Sequence, residues 1–212
     1  NVFYYISFRA IGAAITALMI SFLIGPKIIR TLKSYHIGET IRKSGPNTHL
    51  KKEGTPTMGG IIVLLSIILP TILWAQLDDK HILLILLATL WMGAIGLLDD
   101  YLKVIKKYSR GLIARYKMAG QIALGMTVAI ILINYPHSSE FATIISIPFI
   151  ANGTLDIGWF YIPFVVLVIT GTSNAVNLTD GLDGLATGLV AIATLVFGAI
   201  SYATGRLDYS DY

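Results

Sequence analysis

The sequence predicts an all-α polytopic membrane protein, and three observations predict it. Apolar residues make up 55% of the 212 positions and charged residues only 13%, where soluble domains carry about 25% charge. The mean hydropathy is +0.72. The apolar residues also fall in runs long enough to cross a bilayer, whose hydrocarbon core takes about 20 residues of helix. So little charge cannot cover a water-soluble surface, and disordered, collagen-like and coiled-coil chains are excluded by the same composition. There is no cysteine, which removes disulfides, thiolate metal sites and cysteine nucleophiles.

Six spans are predicted in order. The first, Phe3–Ile24, carries Arg9 near its start; it lacks a basic leader and is too long for a signal-peptide core. The second, Met58–Gln76, contains Pro70, and the third, His81–Leu98, is uninterrupted. The fourth runs over Lys117–Asn134 and the fifth over Trp159–Ser173, with a polar inner end. The sixth, Leu185–Ala203, is rich in Gly and Ala, which suits close helix packing. Between the fourth and fifth, Thr143–Ile147 and Leu155–Trp159 flank Asn152-Gly153, the pattern of a short β-hairpin. Residues 1–212 are read as one integral membrane domain. The chain starts at Asn1 rather than Met, so a processed chain or part of a longer one is expected.

Charge orients the spans. Thirteen of the 16 basic residues lie in 25–57 and 99–117. The positive-inside bias makes these segments cytoplasmic. The N-terminus, 76–80, the hairpin region 135–158 and the C-terminus then face outward, and 174–184 faces inward by parity.

Three polar features at the inner membrane edge are candidates for function, because ionisable groups there are costly. In Asn174-Ala-Val-Asn177-Leu-Thr-Asp180-Gly-Leu-Asp183-Gly184, polar residues recur every third position. In a helix that spacing lines up Asn174, Asn177, Asp180 and Asp183 near one face. Gly181 and Gly184 allow close backbone approach. Capping of the sixth helix accounts for Asp183 alone, not for four polar residues in register. The second feature is Asp99-Asp100-Tyr-Leu-Lys103 at the end of the third span. Neighbouring carboxylates repel, and Mg²⁺, which takes oxygen ligands, relieves this; the plainer alternative is a solvated helix end with a Lys103–Asp99 pair. Asp78-Asp79, on the outer side and without polar companions, is the built-in control. The third is Lys51-Lys52-Glu-Gly-Thr55-Pro-Thr57-Met-Gly-Gly60, which could cradle a phosphate or equally serve as a basic anchor before a helix. His36, His49, His81 and His137 form no zinc spacing, and no basic domain outside the membrane exists to bind nucleic acid. Carboxylates for a metal, lysines for phosphates and amides for a polar head together suit an enzyme joining a phosphorylated soluble substrate to a lipid phosphate.

The motifs Thr55-Pro-Thr-Met-Gly-Gly60, Gly96-Leu-Leu-Asp-Asp-Tyr-Leu-Lys103, Gly111-Leu-Ile-Ala-Arg115 and Asn174–Ala186 resemble those of the bacterial phospho-N-acetylmuramoyl-pentapeptide-transferases. These belong to the polyprenyl-phosphate N-acetylhexosamine-1-phosphate transferase superfamily. The resemblance runs through essentially the whole chain. It implies transfer of phospho-MurNAc-pentapeptide from UDP-MurNAc-pentapeptide to undecaprenyl phosphate, giving lipid I and UMP in peptidoglycan synthesis. It also implies Mg²⁺ as cofactor, a homodimer and a cytoplasmic active face in the bacterial inner membrane. By motif position, Asp99 and Asp100 resemble the catalytic, metal-binding pair. Lys52, Thr57, Lys103, Asn177 and Asp180 resemble phosphate, ribose or sugar contacts, Gly181, Leu182 and Asp183 the uracil pocket, and Asn174 a further site residue. Family members have about ten spans and a third essential Asp, so this chain is expected to be an N-terminal portion, inactive alone.

Two mechanisms stay open, direct attack by the lipid phosphate with Asp99 as base, and a covalent phospho-enzyme. A phosphate monoester, with a second pKa near about 6, leaves a base little to remove, which favours charge neutralisation and single displacement. The rival readings are a UDP-GlcNAc:polyprenyl-phosphate transferase of the same superfamily and a membrane transporter. A transporter would carry ionisable groups near the middle of several spans, and these span centres are clean.

Overall fold

The computed structural model describes residues 2–34, 58–108, 111–135, 143–147, 150, 153–182 and 184–204. The chain divides into two compact units, Asn1–Ala142 and Thr143–Tyr212.

The first unit contains four helices, α1 (Ile6–Ser34), α2 (Gly60–Trp74), α3 (Lys80–Val104) and α4 (Ala114–Asn134). Helix α1 runs ten residues beyond the end predicted from hydropathy, through Pro26, and carries Lys27, Arg30 and Lys33. Its 29 residues reach about 43 Å, more than a hydrocarbon core of about 30 Å, so its basic end extends past the apolar layer. Helix α2 is shorter than predicted. Met58 takes a left-handed conformation (φ 69°) and the helix starts only at Gly60, while Ala75 turns extended at its end. Its 15 residues make it a short apolar helix beside the longer ones.

Helices α1 and α2 are tied by polar contacts of the kind that hold helices together in lipid. The Ser21 and Ser66 hydroxyls lie 2.8 Å apart. The Trp74 indole N–H donates to the Thr16 hydroxyl at 3.0 Å. Gly12 makes this approach possible, since a Cβ there would stand 2.7 Å from the Trp74 ring. Helix α4 is the most deeply packed, burying Gln121, Leu124, Gly125, Val128 and Ala129. Their spacing is that of one helical face. Trp91 of α3 donates its indole N–H to the Gly120 carbonyl of α4 at 3.0 Å.

The second unit contains β1 (Ile144–Ser146), β2 (Thr154–Asp156), α5 (Tyr161–Thr179) and α6 (Leu185–Thr204). The predicted hairpin forms, with Ile144, Ile145 and Ser146 opposite Asp156, Leu155 and Thr154. Its connection is longer than a two-residue Asn-Gly turn. The ladder ends at the Ser146–Thr154 pair, and the next bond runs from Ile147 N–H to the Gly153 carbonyl at 2.7 Å. In α5 and α6, hydroxyls bond back to carbonyls four residues earlier, as from Thr170 to Val166 (2.6 Å) and Thr194 to Val190 (2.7 Å). Polar side chains within apolar helices are satisfied this way. Among the described residues, five helices are long and apolar enough to cross a bilayer. With α2 and the small hairpin they make an all-α, multi-pass membrane protein.

Candidate active site

The best-built polar site of the first unit is centred on Asp99. Helix α3 continues six residues past the predicted end of its span, so Asp99, Asp100 and Lys103 all stand on helix. The chain then turns sharply. Lys107 is left-handed (φ 55°), the Tyr108 N–H reaches back to the Leu102 carbonyl at 3.0 Å, and the Gly111 N–H bonds the Tyr108 carbonyl at 2.9 Å. This turn returns the backbone over the helix end. There the Leu112 N–H donates to Asp99 Oδ1 at 2.8 Å. The other carboxylate oxygen takes two lysines, Lys103 Nζ at 2.9 Å and Lys117 Nζ at 2.7 Å. Lys103 follows from helical spacing, four residues on. Lys117 comes from the first turn of α4, an end where the helix dipole disfavours a cation; the Asp99 carboxylate offsets that cost. Asp99 is 6% exposed, which strengthens its charge-assisted bonds relative to surface pairs.

Gly111 is what lets the turn close. Its φ is +59°, and a Cβ there would collide with the Asp99 carboxylate and the Lys103 side chain. A left-handed conformation alone costs a non-glycine residue roughly 1–2 kcal/mol. Gly111→Ala is therefore expected to lower stability by about 2 kcal/mol or more, read as a fall in the thermal midpoint of the detergent-solubilised protein. An unchanged midpoint would show that the turn does not press on Asp99.

Asp100, the neighbour in sequence, is in a different situation. Successive helical residues do not face each other. Asp100 is half-buried and has no hydrogen bond or ion pair within the described residues. The two carboxylates are thus not a facing pair: among the described residues Asp99 is held by three donors and Asp100 by none. The outer control differs again. Asp79 caps α3, accepting the His81 N–H at 2.7 Å, and this bond holds its carboxyl below the usual range. Among the described residues no group of three or more His, Asp or Glu is placed to hold a metal. Asp100 has no hydrogen bond or ion pair among the described residues, and Mg²⁺ is commonly held by one or two carboxylates with substrate phosphates, so its carboxylate fits as part of such a site.

In the second unit the expected four-residue register is broken. Asn174 and Asn177 lie on α5, but that helix ends at Thr179, and Asp180 leaves helical geometry with ψ 52°. Gly181 and Leu182 form a turn, and Gly184 adopts φ +83° just before α6. The physical reason is the Asp180-Gly181 pair, which favours a helix stop over another turn of helix. Two amides therefore stand on the last turns of α5, and Asp180, Gly181 and Leu182 stand on an exposed turn. The Asn174 amide donates to the Thr170 carbonyl at 2.8 Å. Lys52, Thr57 and Asp183 lie outside the described residues. Lys117 is the site residue that sequence reading missed, counted only as one of the basic residues of its loop.

The phospho-N-acetylmuramoyl-pentapeptide-transferase signature 1 matches residues 52–64. Proteins named phospho-N-acetylmuramoyl-pentapeptide-transferase align along the whole chain. That of Chlorobaculum parvum is 49% identical over 98% of this chain and 56% of its own length. That of Endomicrobium trichonymphae is 46% identical over 100% of this chain and 59% of its own. That of Desulfotalea psychrophila is 47% identical over 100% and 58%. The chain thus spans somewhat over half the length of these relatives. The sequence model of glycosyl transferase family 4 matches residues 82–212, which takes in the Asp99 cluster, the Asn174–Leu182 segment and more than half of the chain, and the protein belongs to that family.

Proposed function

We propose that the intact protein transfers phospho-MurNAc-pentapeptide from UDP-MurNAc-pentapeptide to undecaprenyl phosphate, releasing UMP and forming lipid I. The observation that carries this reading is the 46–49% identity, over 98–100% of this chain, to relatives bearing that enzyme's name. By the same resemblance the protein is a homodimer of the bacterial inner membrane with its working face on the cytoplasmic side. The charge distribution supports that face, with basic residues concentrated in 25–57 and 99–117.

The residues divide the work as follows. Asp100 is the carboxylate for Mg²⁺, since Asp99 already carries two ammonium groups and a backbone N–H. The metal, when bound, neutralises charge on the reacting phosphates. Lys103, with Lys52 and Thr57, holds phosphate oxygens. In the second unit Asn174, Asn177 and Asp180 bind sugar and ribose, and Gly181, Leu182 and Asp183 bind uracil. Asp99 is a poor general base while ion-paired, which favours direct displacement by an acceptor phosphate that is already ionised.

Release of UMP by the intact, detergent-solubilised protein is the test. It should require undecaprenyl phosphate and proceed with UDP-MurNAc-pentapeptide and not with UDP-GlcNAc. UMP from UDP-GlcNAc alone would move the protein to the sister transferases. The nucleoside contact has its own check. Asp183→Ala should weaken UMP and UDP-sugar binding at least about tenfold, the worth of a lost hydrogen bond to a charged group. It should leave the lipid-phosphate requirement in place. Unchanged nucleotide affinity would remove Asp183 from the uracil pocket.

A further inference from the structure

Three donors converge on the Asp99 carboxylate: Lys103 Nζ at 2.9 Å, Lys117 Nζ at 2.7 Å and the Leu112 N–H at 2.8 Å. Two ammonium groups and a main-chain N–H around one anion are the donor set that holds a phosphate. Here the anion is the protein's own. Both lysines contact a single oxygen, so their ammonium groups lie no more than about 6 Å apart. Two cations this close are tolerated because an anion lies between them. Lys103 and Lys117 remain part-exposed, with side chains 46% and 34% accessible, while the Asp99 side chain is 9% accessible. The open side of the cluster is therefore the lysine side. Asp100 stands one residue on with no hydrogen bond or ion pair among the described residues.

We propose that Asp99 is the resting occupant of an anion cradle built from Lys103, Lys117 and the Leu112 N–H, and that a substrate phosphate binds there by displacing it. This rests on the reading that the substrates are phosphates, and it adds what the resting state does. The cradle is closed by an internal ion pair, so an entering phosphate binds with its affinity reduced by the fraction of time the pair is closed. The pair also keeps both lysines apart from other anions until substrate arrives. Asp99 is in this sense a positioning residue, acting through the two lysines. The shared ligand chemistry is a phosphate, from either the lipid acceptor or the nucleotide donor.

The test is binding without divalent cation or turnover, on the intact protein in neutral detergent. The probes are dodecyl phosphate, for the lipid source, and UDP, for the nucleotide source. Asp99→Asn should bind at least one of them about tenfold or more tightly than wild type, the range of ordinary coupling between competing sites. Adding Lys117→Met should erase the gain. Asp100→Asn removes the same charge from the same helical turn without touching either lysine, so it should gain only about threefold, a general Coulomb effect that salt screens. The probe that gains identifies the source. Equal gains for Asp99→Asn and Asp100→Asn, or none for either probe with Asp99→Asn, would overturn the cradle. If Asp99→Asn does not fold, infrared difference spectra of wild type labelled with ¹³C at aspartate carboxyls decide. Saturating probe should shift an aspartate carboxylate band, and an unshifted spectrum overturns the proposal. Neither measurement depends on which sugar is transferred, so failure here leaves the transferase assay to stand or fall separately.

Discussion

Asp100→Asn should cut turnover of the intact protein by at least ~10²-fold, the loss that follows removal of one transition-state electrostatic contact. Its folding should be unchanged, because no described residue hydrogen-bonds or ion-pairs with the Asp100 side chain. Asp99→Asn should lose a similar factor for a different reason. It strips the shared partner from Lys103 and Lys117, so its loss should come with a changed thermal midpoint, and that of Asp100→Asn should not. Asp78→Asn is the matched control, a carboxylate in an exposed turn at the other end of α3, and should be nearly silent. The readout is initial-rate UMP release together with thermal unfolding of each variant. Equal losses at positions 78 and 100 would mean that a general charge effect is being measured, and the assignment of Asp100 would fall.

The existence of the spans was legible because a bilayer demands about 20 apolar residues and little else produces such runs. Their ends were not. Helices α1, α3 and α5 run ten, six and six residues past the predicted inner ends, to Ser34, Val104 and Thr179. Hydropathy reports the solvent a residue prefers, whereas the backbone ladder continues until something stops it. What stops α3 is the left-handed Lys107, after which the Tyr108 N–H reaches back to the Leu102 carbonyl, and what stops α5 is Asp180-Gly181. The same difference explains the site. Asp99 with Lys103 could be read from helical spacing, but Lys117 is 18 residues from Asp99 and reaches it only through the turn. The available clue was a lysine in the first turn of a helix, where the dipole disfavours it. The unequal state of Asp99 and Asp100 was hidden because sequence adjacency looks like pairing, and on a helix it is not.

Membrane topology carries the largest all-or-none expectation, since the proposed roles need the α3–α4 connection and the α5–α6 turn on the cytoplasmic side. Reversal would send outward the two basic segments, which hold thirteen of the 16 lysines and arginines. Each Lys or Arg costs about 2.5–3.5 kcal/mol at the centre of a span on insertion scales, and the bias acts on short loops such as these. The chain has no cysteine, so single cysteines report cleanly. The structure also chooses the positions. Ser173 lies within α5, which continues to Thr179, so it is not a loop position and is a poor place for the probe. Tyr108 follows the end of α3, and Leu182 sits on the turn before α6; both are exposed. Cysteine at either should be protected from an impermeant thiol reagent in intact cells and react once the membrane is opened. Thr154, exposed on β2, should react in intact cells when replaced by cysteine. The intervening count decides the outcome: if α4 and α5 each cross, positions 108 and 182 share a side and 154 lies opposite. Labelling of 182 but not 108 in intact cells would mean that only one of those helices spans. The Asp99 cluster and the Asn174–Leu182 segment would then face different compartments and could not serve one phosphate transfer.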